Sequence, residues 1–579
     1  MALHFLTQPH HLTALEPLKN AAMVALDIET AGPNGLIPQQ SRIRLLQLAT
    51  EDGTFVFDMD KVQPPEWVWE ILESPSVLKV LHNAKFDLKH IYHHTGRVVA
   101  PVFCTFLASQ LLALGNSDQR HSLAATVKRY LNVVLDKSQQ VSDWSGELSE
   151  EQVLYAASDV EILLKLQPIL AERLKRLKLG RVSQLEFRTV MPVAIMEWRG
   201  VRVDLEKWQK QSAIWQAKRD ELERQLLTQL RLPDDLPGMN TLNLNAPEQV
   251  LSALRAIGVD LQGTSESQLK QWENQFPVIS DLLAYRHLNR ILTATMQQIA
   301  QCVLPETGRV HSSYFQIASA SGRFACSEPN IQQVPREKEI RSCFVPEPGN
   351  CFIIADYSQV ELRVAAGLAH DRTMLEAYRN GWDLHRLTAA LSMNKNIDEV
   401  SASERQAAKA INFGLIYAMG PNGLMQSARN SYGVDMSLDQ ATTFRHRFFQ
   451  NYAGIRNWQE ELERQGRKNR FVRTAAGRIR SYEGEEIRVT ELFNIPVQGT
   501  AAEGLKSALC LFWDKTRELP FEAHIVAIIH DEIIVEVAES KAQACLELLK
   551  SCMIQGIQWL VPNVPFAVDA HIGQSWADK

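Results

Sequence analysis

The chain has 579 residues, of which 45% are hydrophobic and 22% are charged, and its formal net charge is −6. This length is too great for one hydrophobic core, so we expect several domains with the composition of an ordinary soluble globular protein. No apolar run is long enough to span a membrane, and the N-terminus lacks the charged and apolar regions of a signal peptide.

The predicted secondary structure differs between the N-terminal, middle and C-terminal parts of the chain. Over residues 21–175 the apolar strands AAMVALDI, IRLLQLA, TFVFD and VLKVLH alternate with helical stretches, which predicts an α/β domain. Residues 204–232 are charged and Gln-rich and favour a helix. The segment from Leu232 to Gln249 is rich in Pro, Asn and Asp and predicts a loop. After about residue 300, the strand-like segments CFIIADYS and HIVAIIHDEIIVEV are separated by long helices.

Four acids and a tyrosine form a first candidate site. Asp27 and Glu29 end the strand AAMVALDIET and point to one face, because they are two residues apart. Asp87 closes HNAKFD, and Tyr155 and Asp159 lie one turn apart on a predicted helix. Each residue alone is equally typical of a surface acid or a helix cap. Together, in this order, they indicate one shared site.

Carboxylate oxygens are the ligands that Mg²⁺ and Mn²⁺ prefer, and a pair of these ions can activate water against a phosphodiester. The pattern resembles the DEDD exonuclease family in its tyrosine-bearing subclass, over about residues 21–175. The resemblance implies a ribonuclease-H-like fold, two bound metal ions and a water-orienting tyrosine, Tyr155; the implied metal ligands are Asp27, Glu29, Asp87 and Asp159. The stretch LDKSQQVSDWSGELSEEQVLYAASDV also resembles ribonuclease D, so the motif leaves DNA and RNA open as substrates.

A second set of acids lies in the C-terminal half. Asp356 ends the apolar strand of FIIADYSQVELR, and His530, Asp531 and Glu532 separate two apolar runs in IVAIIHDEIIVEV, which predicts a hairpin. A polar hairpin tip is common in any protein. If the hairpin lies beside the first strand, Asp356 and Asp531 converge on a second metal pair.

The segment ERQAAKAINFGLIYA predicts a helix between these acids. At about 100° per residue, Arg405, Lys409 and Phe413 share one face, with Tyr417 about 40° further round. Cations on one face can hold a triphosphate, and an aromatic ring can stack on a base. Two solvated basic residues beside a core aromatic residue are the alternative interpretation.

The window between Arg464 and Arg480 contains basic residues and no acidic one. The negative net charge of the chain does not exclude a nucleic-acid surface, because such surfaces are local. We predict that the window binds phosphates, with a solvated helix face as the alternative. Its basic residues are Arg464, Arg467, Lys468, Arg470, Arg473, Arg478 and Arg480.

Several motifs in the C-terminal half occur in a diagnostic order. They are SASGRFACSEPNIQQVP, DYSQVELR, RQAAKAINFGLIY, NIPVQGTAAE and HDE, with EWRGVRVD, TGRVHSSYFQ, GWDLH and GQSW around them. Together they resemble DNA polymerase family A, of the bacterial polymerase I type. The resemblance implies an α/β multidomain chain in which a ribonuclease-H-like exonuclease domain precedes a right-hand polymerase with palm, fingers and thumb.

The implied domain boundaries follow from these motifs. We expect an exonuclease domain at 1–180 and a polymerase domain at 181–579. Within the latter we expect the thumb at about 190–305, the fingers at about 369–491, and the palm at about 306–368 and 492–579. Since the exonuclease motif starts near residue 1, we expect a Klenow-type arrangement without the 5′-nuclease domain of longer relatives.

The resemblance assigns roles at the polymerase site. Asp356, Asp531 and the Tyr357 carbonyl would hold two Mg²⁺ ions, with Glu532 as an accessory acid near the primer end. Lys409 would donate a proton to pyrophosphate.

Other implied roles concern the nucleotide. His385 and Arg405 would contact the triphosphate together with Lys409. Glu361 would exclude a 2′-hydroxyl, Phe413 would discriminate against dideoxynucleotides, and Tyr417 would close over the templating base.

DNA contacts are also implied. Arg323, Asn494 and Gln498 resemble readers of the minor groove, whose acceptors are nearly independent of sequence. His530 would support the primer terminus. From the basic window, Arg467, Lys468 and Arg470 are the predicted DNA contacts.

Three departures from the family pattern stand out. Thr490 replaces the usual Arg four residues before Asn494, although Arg488 could substitute for it. Glu503 replaces the Asp of GTAAD, which we expect to be a small change. Ala418 replaces a Gly, which puts the flexibility of the fingers in doubt.

The leading hypothesis is a proofreading DNA polymerase that acts as a monomer on primer-template DNA and deoxynucleoside triphosphates, away from membranes. The alternatives are a ribonuclease-D-like 3′-5′ exonuclease whose inactive polymerase-like half only binds nucleic acid, and a DNA-binding scaffold with both sites inactive. Intact acids argue against the scaffold, because clustered carboxylates repel one another. Eight cysteines without a CxxC pair argue against zinc and disulfides and indicate a reducing cytoplasm, in a bacterial cell or a phage-infected host.

Overall fold

A computed structural model describes residues 2–136, 138–139, 142–232 and 241–579. The chain divides into two compact units. The large unit comprises Met1–Gly200, Ser313–Cys326 and Ile353–Ile572, and the small unit comprises Val201–Ser312, Ser327–Phe352 and Gly573–Lys579.

The N-terminal part of the large unit is an α/β fold, as predicted. Its strands are β1 (Ala2–Leu6), β2 (Met23–Ala31), β3 (Arg42–Ala49), β4 (Gly53–Asp58), β5 (Leu78–Leu81) and β6 (Val102–Cys104). Its helices are α1 (Glu66–Glu73), α2 (Lys85–Thr95), α3 (Thr105–Leu112), α4 (Leu123–Leu131), α5 (Glu150–Arg176) and α6 (Gly180–Arg199), with 3-10 helices at Pro9–Asn20 and Pro38–Gln40. The four predicted strands correspond to β2, β3, β4 and β5 and are confirmed.

These strands form one mixed sheet in the order β1-β4-β3-β2-β5-β6. β2 pairs antiparallel with β3 and parallel with β5. β3 and β4 are buried along nearly all of their length, and their continuous apolar runs are typical of strands covered on both faces. α5 packs against β2. It begins at a capping box, in which the Ser149 N–H donates to the Gln152 side chain and the Gln152 N–H donates to Ser149 Oγ.

The small unit is mainly helical. Its elements are β7 (Val201–Arg202), α7 (Leu205–Gln229), α8 (Pro247–Ala256), α9 (Glu266–Leu269), α10 (Pro277–Arg290), α11 (Gln297–Cys302), β8 (Val303–Leu304), β9 (Arg309–Val310) and α12 (Lys338–Arg341), with a π-helix at Ile291–Met296 and a 3-10 helix at Ile331–Gln333. α7 confirms the helix predicted over 204–232. Residues 233–240 of the predicted loop lie outside the described residues. The loop prediction extended too far, because Pro247 already opens α8, a position that suits proline.

The remaining strands are β10 (Ser313–Phe315), β11 (Ala325–Ser327), β12 (Asn350–Tyr357), β13 (Phe471–Arg473), β14 (Ile479–Ser481), β15 (Ala523–Ile529), β16 (Glu532–Ala538) and β17 (Val568–Gly573). The remaining helices are α13 (Val360–Leu368), α14 (Arg372–Arg379), α15 (Leu384–Met393), α16 (Ala402–Ile416), α17 (Pro421–Tyr432), α18 (Leu438–Asn451), α19 (Ala453–Asn469), α20 (Val489–Thr516) and α21 (Ala542–Gln558), with 3-10 helices at Ile397–Glu399 and Glu539–Lys541. One sheet has the order β15-β16-β12-β17, and two smaller sheets pair β10 with β11 and β13 with β14.

Two further findings concern the chain as a whole. No helix among the described residues is both long enough and apolar enough to cross a bilayer. All eight cysteines are free thiols, and every one except the half-buried Cys302 is buried.

Candidate active sites

The first carboxylate site lies where β2, α2 and α5 meet. Asp27 and Glu29 lie two residues apart on β2, Asp87 lies in the first turn of α2, and Tyr155 and Asp159 lie one turn apart on α5. The backbone N–H of Ile28, between the two β2 acids, donates to Asp87 Oδ1 at 3.2 Å. The structure therefore brings together the five residues that the sequence predicts.

Electrostatics confirm that these groups are close neighbours. Burial raises the pKa of Asp87 well above its usual value, and the charge of Asp27 and a hydrogen bond between the two carboxyl groups raise it further. Burial also raises the pKa of the Tyr155 phenol, with added contributions from Asp159, Glu29 and Asp27. All four acids thus act on one small volume.

The donor set of this site suits a hard divalent cation. Asp87 is 1% exposed, and its hydrogen bond to Asp27 requires a proton shared by two carboxyl groups. A divalent cation would offset the same charge without that proton, and every candidate ligand is an oxygen. Within the described residues, no group of three or more His, Cys, Asp or Glu side chains is arranged as a ready metal cage.

The second site is the predicted acidic hairpin. Ile529 pairs with Glu532, so His530 and Asp531 form a two-residue turn between β15 and β16, with His530 at φ 59°. β16 lies directly beside β12, which carries Asp356 near its C-terminal end. The hairpin prediction is confirmed, and Glu532 is buried rather than exposed at the tip.

Tyr357, the last residue of β12, is anchored to α21. Its hydroxyl donates to the Met553 carbonyl at 2.6 Å. Burial raises the pKa of the Tyr357 phenol, and electrostatic interactions with Cys552 and Asp531 raise it further. Asp531 is therefore within electrostatic range of the residue that follows Asp356.

The helix α16 presents the predicted face. Arg405, Lys409 and Phe413 are half-buried, while Ala408 and Asn412 between them are buried. The face is therefore neither a fully solvated surface nor part of the core. A helix built this way can hold a ligand along one side.

Arg405 is held by a residue that sequence reasoning missed. Its Nε donates to Asp383 Oδ2 at 2.7 Å. Asp383 also caps α15, because its Oδ1 accepts the N–H groups of His385 at 2.8 Å and Arg386 at 3.1 Å. An Asp two residues before His385 is an N-cap signature that could have been read from GWDLH.

The His385 ring is fixed by a second missed residue, Asn412. Asn412 Nδ2 lies 2.8 Å from His385 Nδ1, and the rings of His385 and Phe413 lie 6.0 Å apart. Burial lowers the pKa of His385 to about 4, with Asp383 opposing the shift. The imidazole is therefore neutral at pH 7. With Nδ1 accepting from Asn412, the ring proton lies on Nε2.

Glu361 lies at the centre of a cluster of side chains. Its carboxylate forms an ion pair with Arg323 and accepts a hydrogen bond from the Tyr417 hydroxyl. Gln498 also hydrogen-bonds to Tyr417. Burial raises the pKa of Tyr417, and Glu361 raises it further, so the phenol remains a donor. Four residues predicted separately from four motifs thus form one connected set of contacts.

Comparisons with known proteins agree with this geometry. The profile of DNA polymerase family A matches residues 206–578, and that of a 3'-5' exonuclease matches residues 5–175. The chain belongs to DNA polymerase family A. It is a DNA polymerase with a 3′-5′ exonuclease domain preceding the polymerase domain, as predicted.

Individual relatives show how far the similarity extends. DNA polymerase I of Aquifex aeolicus is 32% identical over 97% of both chains. DNA polymerase I of Pseudomonas aeruginosa is 28% identical over 97% of this chain and 64% of its own length, so this chain spans less than two thirds of that relative. The POL domain of Pol1 from M. smegmatis, in complex with DNA primer-template and dNTP, has the same fold, with a TM-score of 0.84 at 24% identity over 100% of this chain and 99% of that chain.

The family departure at Ala418 has a structural consequence. Ala418 follows the C-cap of α16 and has φ 56°, in the left-handed region where the family's glycine would be unstrained. Its methyl group packs beside a buried cluster that includes Tyr482 and Leu492. An alanine therefore occupies a strained, left-handed position at the end of α16.

Glu503 takes part in a buried ionic network. Its carboxylate accepts hydrogen bonds from Thr474 Oγ1 and from the Ala476 N–H at 3.0 Å, and it lies 3.7 Å from Arg478 Nε. Arg478 also pairs with Glu186 of α6, which lies 2.5 Å from Lys506 Nζ. Two acids and two bases are therefore buried together, which offsets their charges.

The basic window is not one exposed surface, and the prediction for Arg478 is wrong because that residue is buried. Arg473 donates to the Leu177 carbonyl at 3.2 Å, and Arg480 pairs with Glu485 at 2.5 Å. Arg464 and Arg467 pair with Glu461 and Glu463, two acids of α19 that lie just before the window. Arg467 and Lys468 are exposed and Arg470 is half-buried, so their contact with DNA stays a prediction.

Thr490, where the family usually has Arg, is the second residue of α20. Thr490 is exposed in the first turn, and the Arg488 side chain is 81% exposed and 4.0 Å from Glu491. Asn494 and Gln498 follow on α20, one turn apart and half-buried. Arg488 is thus exposed at the start of α20, and its substitution for the family's Arg stays a prediction.

Proposed function

We propose that this chain copies a DNA template from deoxynucleoside triphosphates and removes mispaired nucleotides from the primer end. Support comes from two carboxylate sites on separate sheets of one chain, together with its membership of family A. The observation that carries the proposal is the cluster of Glu361, Arg323 and Tyr417 beside α16, which a nucleotide-adding enzyme would use to select its sugar.

At the polymerase site, Asp356, Asp531 and the Tyr357 carbonyl would hold two Mg²⁺ ions, or Mn²⁺ in their place. When bound, such ions acidify the primer 3′-hydroxyl and neutralise the charge of the triphosphate. The two-residue turn keeps Asp531 beside β12, and the buried Glu532 would act as an accessory acid near the primer end.

The triphosphate would lie along α16. Lys409 and Arg405 would bind its phosphate oxygens, and the neutral His385 would donate from Nε2. Lys409 is the proposed proton donor to pyrophosphate. The ion pair of Arg405 with Asp383 holds the guanidinium on the exposed side of the helix before any nucleotide arrives.

The base and sugar would meet Phe413, Tyr417 and Glu361. Glu361 would close the space beside the ribose 2′ position, and Phe413 would disfavour dideoxynucleotides. Tyr417 would close over the templating base. The hydrogen bond from Tyr417 holds the Glu361 carboxylate in place, which supports this role.

DNA would be bound by side chains on several elements of the large unit. We assign minor-groove contacts to Arg323, Asn494 and Gln498 and the primer terminus to His530, which is exposed at the hairpin turn. Phosphate contacts are assigned to Arg467, Lys468 and Arg470 at the end of α19.

At the exonuclease site, Asp27, Glu29, Asp87 and Asp159 would hold the metal ions and Tyr155 would orient the attacking water. The buried, protonated phenol of Tyr155 supports that role, because it can donate a hydrogen bond to water. The substrate would be the 3′ end of the DNA primer, so the chain would proofread its own product.

The proposed domain boundaries are 1–180 for the exonuclease and 181–579 for the polymerase, with thumb, palm and fingers as predicted from the sequence. We also propose that the protein acts as a monomer in the cytoplasm. Free thiols on all eight cysteines suit that compartment.

Primer extension tests the function. With Mg²⁺ and deoxynucleotides we expect full extension, abolished in Asp356→Ala and retained in Asp27→Ala. Without nucleotides we expect primer shortening, abolished in Asp27→Ala. Shortening that is never accompanied by extension would favour the ribonuclease-D-like alternative instead. Extension without shortening would show that the exonuclease site is inactive.

A further inference from the structure

Tyr314 lies outside both carboxylate sites, yet its hydroxyl contacts the strand that leads into Asp531. β15 is an edge strand of its sheet, and its pairing with β16 is irregular between Ile525 and Ala527. The Tyr314 hydroxyl donates to the Ile528 carbonyl at 3.3 Å and accepts the Ile528 N–H at 3.2 Å. One hydroxyl therefore binds both polar backbone groups of a residue three positions before Asp531.

These contacts are buried. Tyr314 is 2% exposed and Ile528 is fully buried. When a buried backbone N–H or carbonyl loses its hydrogen-bond partner, the folded structure is destabilised, because water cannot replace that partner. The hydroxyl thus fixes the path of β15 just before the two-residue turn, along the edge where no other strand of the described residues pairs with β15.

The backbone of Tyr314 is held in turn by Glu197, near the end of α6. The Glu197 carboxylate accepts the Tyr314 N–H at 2.5 Å and lies 2.5 Å from Lys85 Nζ. Lys85 also donates to the Tyr314 carbonyl, and Lys89 lies 3.5 Å from Glu197. Lys85 and Lys89 flank Asp87 on α2.

A continuous set of contacts therefore joins the two carboxylate sites. It runs from α2 through Glu197 and Tyr314 to β15, and its members are buried or mostly buried. Each link is a hydrogen bond or ion pair within the large unit rather than a loose apolar contact.

We propose that Tyr314 is a positioning residue for nucleotide addition, and that Glu197 joins it to the exonuclease helix α2. The proposal rests on the function proposed above. Tyr314 touches neither substrate nor metal; it acts through the backbone that carries Asp531. A displacement of about 1 Å in a catalytic group is enough to lower a rate by roughly a hundredfold.

Tyr314→Phe removes only the hydroxyl and tests the first part. In single-turnover incorporation on a primer-template, we expect the maximal rate to fall at least about tenfold, with the half-saturating deoxynucleotide concentration nearly unchanged. Exonuclease shortening of a single-stranded oligonucleotide by the same preparation should keep the wild-type rate.

Tyr482→Phe is the matched control. Tyr482 is also fully buried, but its hydroxyl has no hydrogen-bond partner within the described part of the chain. This variant should incorporate nucleotides at the wild-type rate. Equal rates in Tyr314→Phe and Tyr482→Phe would overturn the positioning role. Equal losses of both activities in Tyr314→Phe, with a lower melting temperature, would also overturn it, because they indicate general destabilisation.

Glu197→Gln tests the link to α2. The amide keeps an oxygen for the Tyr314 N–H but loses the charge that holds Lys85, so we expect both activities to fall severalfold. Glu66→Gln, an exposed carboxylate paired with Arg97, should leave both rates unchanged. An unchanged exonuclease rate in Glu197→Gln overturns the link. A wild-type enzyme without polymerase activity would contradict the proposed function, whereas active wild type with unaffected variants contradicts only this inference.

Discussion

The hydroxyl of Tyr417 donates its hydrogen bond to the carboxylate of Glu361, and Arg323 forms an ion pair with the same carboxylate. Glu361 is therefore held rigidly rather than free to swing away from a ribose. We expect Glu361→Ala to reduce discrimination against ribonucleotides at least about tenfold, because the space beside the 2′ position is opened. Competing deoxynucleotide and ribonucleotide incorporation on one template measures this ratio.

Glu376→Ala is a control for that variant, since Glu376 lies on the neighbouring helix α14 and pairs with the exposed Arg372. Its ratio should match the wild type. Unchanged discrimination in Glu361→Ala would contradict the assigned role of Glu361.

Substitution of Asp383 should weaken nucleotide binding selectively. Asp383→Asn keeps an N-cap for α15 but removes the charge that holds Arg405. We expect the KM for deoxynucleotides to rise about fivefold to tenfold, the scale of one typical hydrogen bond, with little change in kcat. Steady-state incorporation measures both constants. A fall in kcat at constant KM would contradict a role in holding the triphosphate site.

Substitution of Ala418 by glycine should stabilise the folded protein. In Ala418→Gly the left-handed backbone becomes unstrained, which favours folding by about 1 kcal/mol and should raise the melting temperature by about 2 °C. Gly433→Ala is the matched control and should lower the melting temperature. Gly433 has φ 64°, and no atom lies close to the position of an added Cβ, so this substitution adds only backbone strain. A lower melting temperature in Ala418→Gly would mean that packing of the methyl group outweighs its strain.

His90 predicts a pH dependence of stability. Its ring is fully buried, and neither nitrogen has a hydrogen-bond partner within the described part of the chain. Burial lowers the pKa of His90 to about 3 from 6.5, so between these values the unfolded state binds the extra proton. Stability is therefore lost as the pH falls below 6.5, by about 2 kcal/mol at pH 5.

His90→Leu should flatten this dependence and raise the melting temperature at pH 7, because it removes two unpaired polar atoms. Thermal denaturation at pH 5, 6 and 7 checks both effects, with His10→Leu, an exposed residue, as the control. If the melting temperature of His90→Leu falls between pH 7 and pH 5 as steeply as that of the wild type, groups other than His90 cause the pH dependence.

Sequence patterns predicted the elements that carry the acids because those patterns are local. The two-residue spacing of Asp27 and Glu29, the one-turn spacing of Tyr155 and Asp159, and the apolar runs around His530 and Asp531 each fix a face or a turn. The resemblance to family A then supplied roles that spacing alone could not.

Contacts between distant segments were not predictable in this way. Burial of Arg478 against Glu186 depends on residues about 290 positions apart, so the basic window was read as more exposed than it is. The N-cap role of Asp383 is local, but its pairing with Arg405 and the contact of Asn412 with His385 arise only where α15 and α16 pack together. Tyr314 lies within the motif TGRVHSSYFQ, but that motif does not reveal which backbone groups its hydroxyl contacts.

The central claim is that one chain holds two separate carboxylate sites, one that adds nucleotides and one that removes them. It is tested most directly with a 5′-labelled primer whose 3′ nucleotide is mispaired, incubated with template, Mg²⁺ and deoxynucleotides. We predict that the wild type excises the mismatch and then extends, that Asp531→Ala only shortens the primer, and that Asp27→Ala extends without excision. Loss of both product classes in either single variant would contradict the claim, because it would mean that the two sets of acids serve one site.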